Sequence, residues 1–314
     1  LSASLWDIAV LLAKWLSYLA MLAIPGAVFV AWLCRQLSGD RPDVDRRVLS
    51  HLLLPATVLG ILATSAFFLF QVGAINQRGA GGMFDPVIAQ ILAQSSLGDG
   101  LRWRLAGFFL ALLAAGQWYI AKSVSTATAR SGILSASVTV ALAAGAVLCI
   151  SLSFAVLGHV SQLTLVSRLM LVLHITAICL WTGSFVPLYL LSRPEVSGRP
   201  EADRQSLQRL MVLFGQSAWV VLCALFLSGL WLTWQLVDSP GALVTTAYGQ
   251  LLTLKLLLVA GLLGLSARHK FMLVPQLMLT GALRLRRSIA GQIGLTILIL
   301  LVTAVFTTLT GPAS

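Results

Sequence analysis

Long apolar blocks alternate along the chain with short polar connectors. Eight blocks, at 8–33, 51–72, 102–121, 133–157, 169–191, 210–236, 249–266 and 289–310, are long enough to cross a hydrocarbon layer about 30 Å thick as helices. The pattern predicts an all-α, polytopic membrane protein with eight transmembrane helices and no large soluble domain between them. In the outer connector after the second block, Asp85-Pro86 has the form of an N-cap followed by a first-turn proline. Phe84, Val87, Ile88, Ile91 and Leu92 recur behind it at helical spacing. A short amphipathic helix at 86–96, lying on the outer surface, is the expectation.

Composition sharpens this reading. Hydrophobic residues make up 58 % of the chain and charged ones 10 %, with a mean hydropathy of +0.93, beyond any soluble globular domain. A net charge of +11 would suggest nucleic acid in a soluble protein, but in a membrane protein the loops decide its meaning. Fifteen of the 21 Lys and Arg fall in alternate connectors, around Arg35 to Arg47, Lys122 and Arg130, Arg193 to Arg209, and Arg268 to Arg287. Arg78, Arg102, Arg104 and Arg168 lie on the opposite side, with Lys14 and Lys255 in or near blocks. The positive-inside rule puts the fifteen in the cytoplasm and both termini outside, with membrane lipid and not nucleic acid as the surroundings. The first block lacks a basic leader and a small-residue cleavage site, so it reads as a span. Cys34, Cys149, Cys179 and Cys223 show no CxxC spacing, which argues against a disulfide framework or a zinc knuckle.

Two stretches align without a gap. SSLGDGLRWRL (Ser95 to Leu105) and TAYGQLLTLKL (Thr246 to Leu256) match Gly98 to Gly249, Leu101 to Leu252, Arg104 to Lys255 and Leu105 to Leu256. LAMLAIPGAVF (Leu19 to Phe29) likewise resembles TAICLWTGSFV (Thr176 to Val186), with Gly26 against Gly183. Both copies of the first pattern open a block from the outer side, which predicts a parallel 4+4 repeat with halves at 1–157 and 158–314. In this register Ser17 stands where the second half has His174.

His174 lies inside an apolar block, about 8 Å from its start at 1.5 Å per residue. Met170, His174 and Trp181 share a helix face. An imidazole in hydrocarbon needs a partner, either a hydrogen bond from a neighbouring helix or a metal or cofactor. His159, fifteen residues upstream, makes a second candidate ligand, and Met83 could lean over the pair from the outer loop. Met21, Cys149 and Cys179 read either as packing residues or as soft waypoints. Arg104 and Lys255 read either as anchors reaching outer-surface carbonyls, phosphates, Asp99 or Asp238, or as a gate that repels a cation. No carboxylate lies deep in a block, which disfavours a pump built on buried acids. P-loop and HExxH patterns are missing, so the chain reads as a binder or carrier and not an enzyme. Imidazole with thioether or thiolate suits copper, and thioether favours Cu(I). Two histidines near the outer side (His159, His174) and two near the inner (His51, His269) would also suit a diheme b-type cytochrome. A copper-binding assembly or resistance factor that moves nothing is a third possibility.

The two S/T-x-x-G-x-x-L-x-x-R/K-L copies, the HxxxxxxWxG of His174, Trp181 and Gly183, the pair Gly158-His159, and YGxLLxxKLxL from Tyr248 to Leu258 together resemble the copper resistance protein D (CopD/PcoD) family. The resemblance runs over nearly the whole chain in length, span number and motif order. It implies a bacterial inner-membrane, multi-pass protein with periplasmic termini that imports or handles copper, beside a periplasmic copper-binding partner of the CopC type. Two departures stand out: ARHK at 267–270 replaces an expected asparagine-containing form, and methionines are few.

Overall fold

The computed structural model describes residues 4–37, 42–123, 129–157, 163–193, 200–237 and 239–309, with backbone alone for 42–51, 118–123, 129–136, 200–203, 280 and 309. All regular structure among them is helical. α1 (Leu5–Gln36) and α2 (Pro42–Asn76) are followed by a 3-10 turn (Ala80–Phe84) and α3 (Pro86–Ala93). Next come α4 (Ser96–Ser123), α5 (Ala129–Ala155), α6 (Leu165–Gly183) and α7 (Phe185–Leu191). α8 (Pro200–Leu236), α9 (Ala242–Thr245) and α10 (Ala247–Arg268) continue through a π-helical turn (His269–Leu273) to α11 (Leu277–Thr280) and α12 (Ala282–Leu309).

Seven segments are long and apolar enough to cross a membrane, in α1, α2, α5, α6 with α7, α8, α10 with its π-turn, and α12. α4, 28 residues long, stands where a further crossing was expected, and its first turns carry Asp99, Arg102 and Arg104. Several helices outrun the apolar blocks, because hydropathy marks the lipid-facing part and backbone hydrogen bonding continues past it. The short helix expected at 86–96 forms over Pro86–Ala93 and ends three residues early: the Val87 and Ile88 amides donate to Asp85 Oδ1 at 3.0 and 3.1 Å. Val87 and Ile91 stay exposed on it, as does Phe84 on the turn before it. At the start of α1, Ser4 and Asp7 cap each other's backbone reciprocally.

One expected block is broken. The run 169–191 divides at Ser184, because Pro187 has no amide to return to the Gly183 carbonyl. The Ser184 amide donates instead to Trp181 O at 3.3 Å, and its hydroxyl to Leu180 O at 2.6 Å.

α1 sits at the centre, packed against α2, α5, α6, α7, α8 and α12. Its crossing with α6 is a backbone contact. A Cβ on Gly26 would fall 1.9 Å from the Gly183 carbonyl carbon, and one on Gly183 would fall 2.0 Å from Leu22 O, so neither position has room for a side chain. Gly98 and Gly249 are alike in another way: a Cβ there would lie 2.1 Å from Ala93 O and 2.0 Å from Ala242 O respectively. Each seats a preceding short helix, at the last residue of α3 and the first of α9, on the first turn of a long one. Large apolar side chains such as Trp219, Val220, Phe226 and Leu230 of α8 face outward, as a lipid-facing surface requires.

Candidate functional site around His174

α6 starts at Leu165, capped by the Thr164 hydroxyl, which accepts from the Ser167 amide at 3.4 Å. His174 therefore lies about 14 Å along its helix, deeper than the apolar block alone suggests. Ser167, His174 and Trp181 recur every seven residues, and Ser167 and His174 meet α8. Trp231 Nε1 donates to Ser167 Oγ at 3.3 Å. His174 Nδ1 lies 3.2 Å from Ser228 Oγ.

The serine's other contacts assign the proton. Ser228 Oγ lies 2.6 Å from Ala224 O and 3.1 Å from Leu225 O. A hydroxyl has one hydrogen, and these carbonyls take it. Ser228 Oγ must then accept from Nδ1–H, which leaves the ring's lone pair on Nε2. Gly229 holds the imidazole from the side: a Cβ there would lie 3.1 Å from His174 Cε1. Lys255 of α10 is within electrostatic reach of the ring.

The other candidates scatter. Met170 is half-buried one turn before His174 on the same helix. Trp181 is buried in an apolar cluster and packs edge-on against Phe185, ring centroids 5.7 Å apart. Met21 of α1 and Cys179 of α6 share a second buried cluster, while Cys149 of α5 is half-buried. Met83 sits on the 3-10 turn that packs against α2. His159 lies outside the described residues, as does the side chain of His51. Among the described residues no three His, Cys, Asp or Glu side chains converge on one point.

Arg104 and Lys255 hold matching places in the internal alignment with different neighbours. Arg104 is only 3 % exposed and donates from Nε to Ser153 Oγ at 3.3 Å. Its guanidinium carbon lies 5.0 Å from the Phe154 ring centroid and 6.0 Å from that of Tyr18. Asp99, one acid that might have held it, pairs with Arg102 one turn away on the exposed side of α4; Asp238 lies outside the described residues. Lys14 reaches the end of α12, donating to Thr307 O at 2.9 Å and Thr308 Oγ1 at 3.1 Å, where a cation meets the negative end of the helix.

Sequence reasoning missed that Ser228 and Gly229 orient the imidazole. It also missed the Ser151–Thr176 contact at 2.9 Å between α5 and α6, and the Gln292 to Ser266 bond at 2.7 Å between α12 and α10. The available signal was the same in each case: a small or amide polar residue inside an apolar block must find a partner.

No curated protein and no solved structure matches the chain. Two family descriptions do: "Copper resistance protein D-like, N-terminal domain" over residues 5–164, and "Copper resistance protein D" over residues 208–306. The intervening stretch, which carries His174 and Trp181, lies outside both matches. With one match covering the first half of the chain and the other most of its last third, the protein belongs to the copper resistance protein D family.

Proposed function

We propose that this protein carries copper across the bacterial inner membrane, receiving the ion on its outer side at His174 and releasing it toward the cytoplasm. The observation that carries this reading is the imidazole inside α6 whose Nδ1 faces Ser228 Oγ, a contact that leaves the ring's lone pair on Nε2. Met170, one turn nearer the start of the helix, supplies a thioether on the approach, and His159 is the next ligand to test. Imidazole and thioether together suit Cu(I). Met21 of α1 and Cys179 of α6, members of one buried cluster, extend a soft-ligand route inward.

Eight crossings with periplasmic termini complete the proposal, with α4 as the third. The basic loops support the orientation, and the paired glycines support two similar halves. The Gly26–Gly183 contact joins matched positions across α1 and α6, as a two-fold relation would. A periplasmic copper-binding protein of the CopC type is the proposed donor.

The test combines cellular copper accumulation with the metal content of purified wild type, His174→Ala, His159→Ala and Met170→Leu. Loss of both measures in His174→Ala, with a smaller loss in Met170→Leu, is expected. Unchanged accumulation and metal content in His174→Ala would reduce this histidine to a packing residue. A Soret band in the purified protein would replace copper by haem, and retained copper without uptake into proteoliposomes would leave a binding factor that moves nothing.

A further inference from the structure

A second polar site lies in the first half, away from His174. A narrow crevice runs between α2, the start of α4 and the end of α5, bounded by Thr64, Phe67, Phe68, Leu101, Arg104 and Leu157. It has room for about one water-sized group.

Thr64 is out of character there. Thr57, two turns earlier on α2, returns its hydroxyl to Leu53 O at 2.8 Å. Thr182, Thr233, Thr296 and Thr303 do the same on their own helices, at 2.7 to 2.9 Å. Thr64 is 1 % exposed, and its Oγ1 has no hydrogen-bond partner. A buried hydroxyl left unpaired is costly.

Arg104 lines the same crevice. Its guanidinium carbon lies over the Phe154 and Tyr18 rings, which offer no hydrogen-bond acceptor of a carboxylate kind, and no acid among the described residues pairs with it. Lys14 adds positive potential, close enough to act on the same group. A buried cation, an unpaired hydroxyl and an apolar wall therefore meet at one small opening.

We propose that this crevice binds one anionic phosphate oxygen, supplied by the headgroup of a membrane phospholipid. The oxygen accepts from an Arg104 N–H and from the Thr64 hydroxyl, which satisfies both at once. Leu157, two residues past α5, forms one wall, and the exposed Asp99–Arg102 pair stands within two turns of Arg104 on α4, a polar edge of the kind that headgroups meet. Phe68 and Leu101, half-buried beside the opening, offer an apolar surface to the attached chains. The inference is independent of the copper reading, because none of these residues touches His174.

The experiment measures thermal unfolding of delipidated full-length protein in detergent. Dioleoylphosphatidylglycerol, dioleoylglycerol and sodium phosphate are titrated separately at constant ionic strength against wild type, Arg104→Gln and Thr64→Val. The phospholipid should raise the wild-type midpoint and dioleoylglycerol should not. The phospholipid concentration giving half the shift should rise about tenfold or more in Arg104→Gln and roughly threefold or more in Thr64→Val, as expected for losing hydrogen bonds to a charged group. Thr64→Val should fold at least as well as wild type without lipid, since it removes an unpaired hydroxyl, so it stands as the test if Arg104→Gln fails to fold. A phospholipid response in Thr64→Val equal to that of wild type overturns the site. An Arg104- and Thr64-dependent shift as large with sodium phosphate as with phospholipid overturns the lipid as the source of the oxygen.

Discussion

Ser228→Ala isolates how α8 controls the imidazole of α6. The serine is fully buried, and alanine fits its space. The substitution removes the oxygen 3.2 Å from Nδ1 and leaves the backbone carbonyl of Leu225 as an acceptor near the ring. An orphaned buried donor costs about 1–3 kcal/mol, and Leu225 as a substitute acceptor places the cost near the lower end. If copper binds through Nε2, the ring must also be held in the Nδ1–H tautomer, and loss of such an orienting contact typically weakens a metal about 10–100-fold. The expected result is Cu(I) affinity lowered about tenfold, about 1.4 kcal/mol, with folding little changed. Competition against a chromophoric Cu(I) chelator in detergent reads this directly. Ser228→Thr, which keeps the hydroxyl, should retain most of the affinity. A Ser228→Ala protein that binds as wild type, beside a His174→Ala protein that does not bind, would show that the serine has no hold on the ligand.

Gly26→Ala should be among the most damaging small substitutions, because its Cβ would meet the backbone of Gly183 at 1.9 Å and not a side chain that can turn away. A loss of more than the usual 1–3 kcal/mol for overpacking is expected in a denaturation titration, and a wild-type midpoint would mean that α1 and α6 do not touch there. Gln292→Leu should be mild, under about 1 kcal/mol by the same measurement, since Ser266 keeps its own bond to Leu262 O at 3.0 Å and loses only a donor. Cysteines placed singly at Asp40, Thr126, Pro200 and Thr280, in a background without the four native ones, should all be labelled from the cytoplasmic side; labelling of any one from the periplasm would break the proposed eight-span topology.

The apolar blocks alone carried the class of fold, because a chain that must bury its backbone polar groups in hydrocarbon has essentially one way to do so. Local chemistry was legible for the same reason of short range: Asp85-Pro86 makes its cap from neighbours two and three residues away, and the Thr296 and Thr303 hydroxyls return to their own helix. Likewise Gly26, Gly183, Gly98 and Gly249 stood out as matched pairs in the chain. Their meaning did not, because only the crossing of α1 with α6, and the seating of α3 and α9 on the helices that follow them, turns a missing Cβ into a requirement. The contacts of His174 and Arg104 belonged to the tertiary structure alone. Ser228 lies 54 residues from the imidazole, and Ser153 lies 49 from the guanidinium. No periodicity within one helix says which face of another will meet it; packing sets that rotation, and with it which nitrogen of His174 keeps its lone pair.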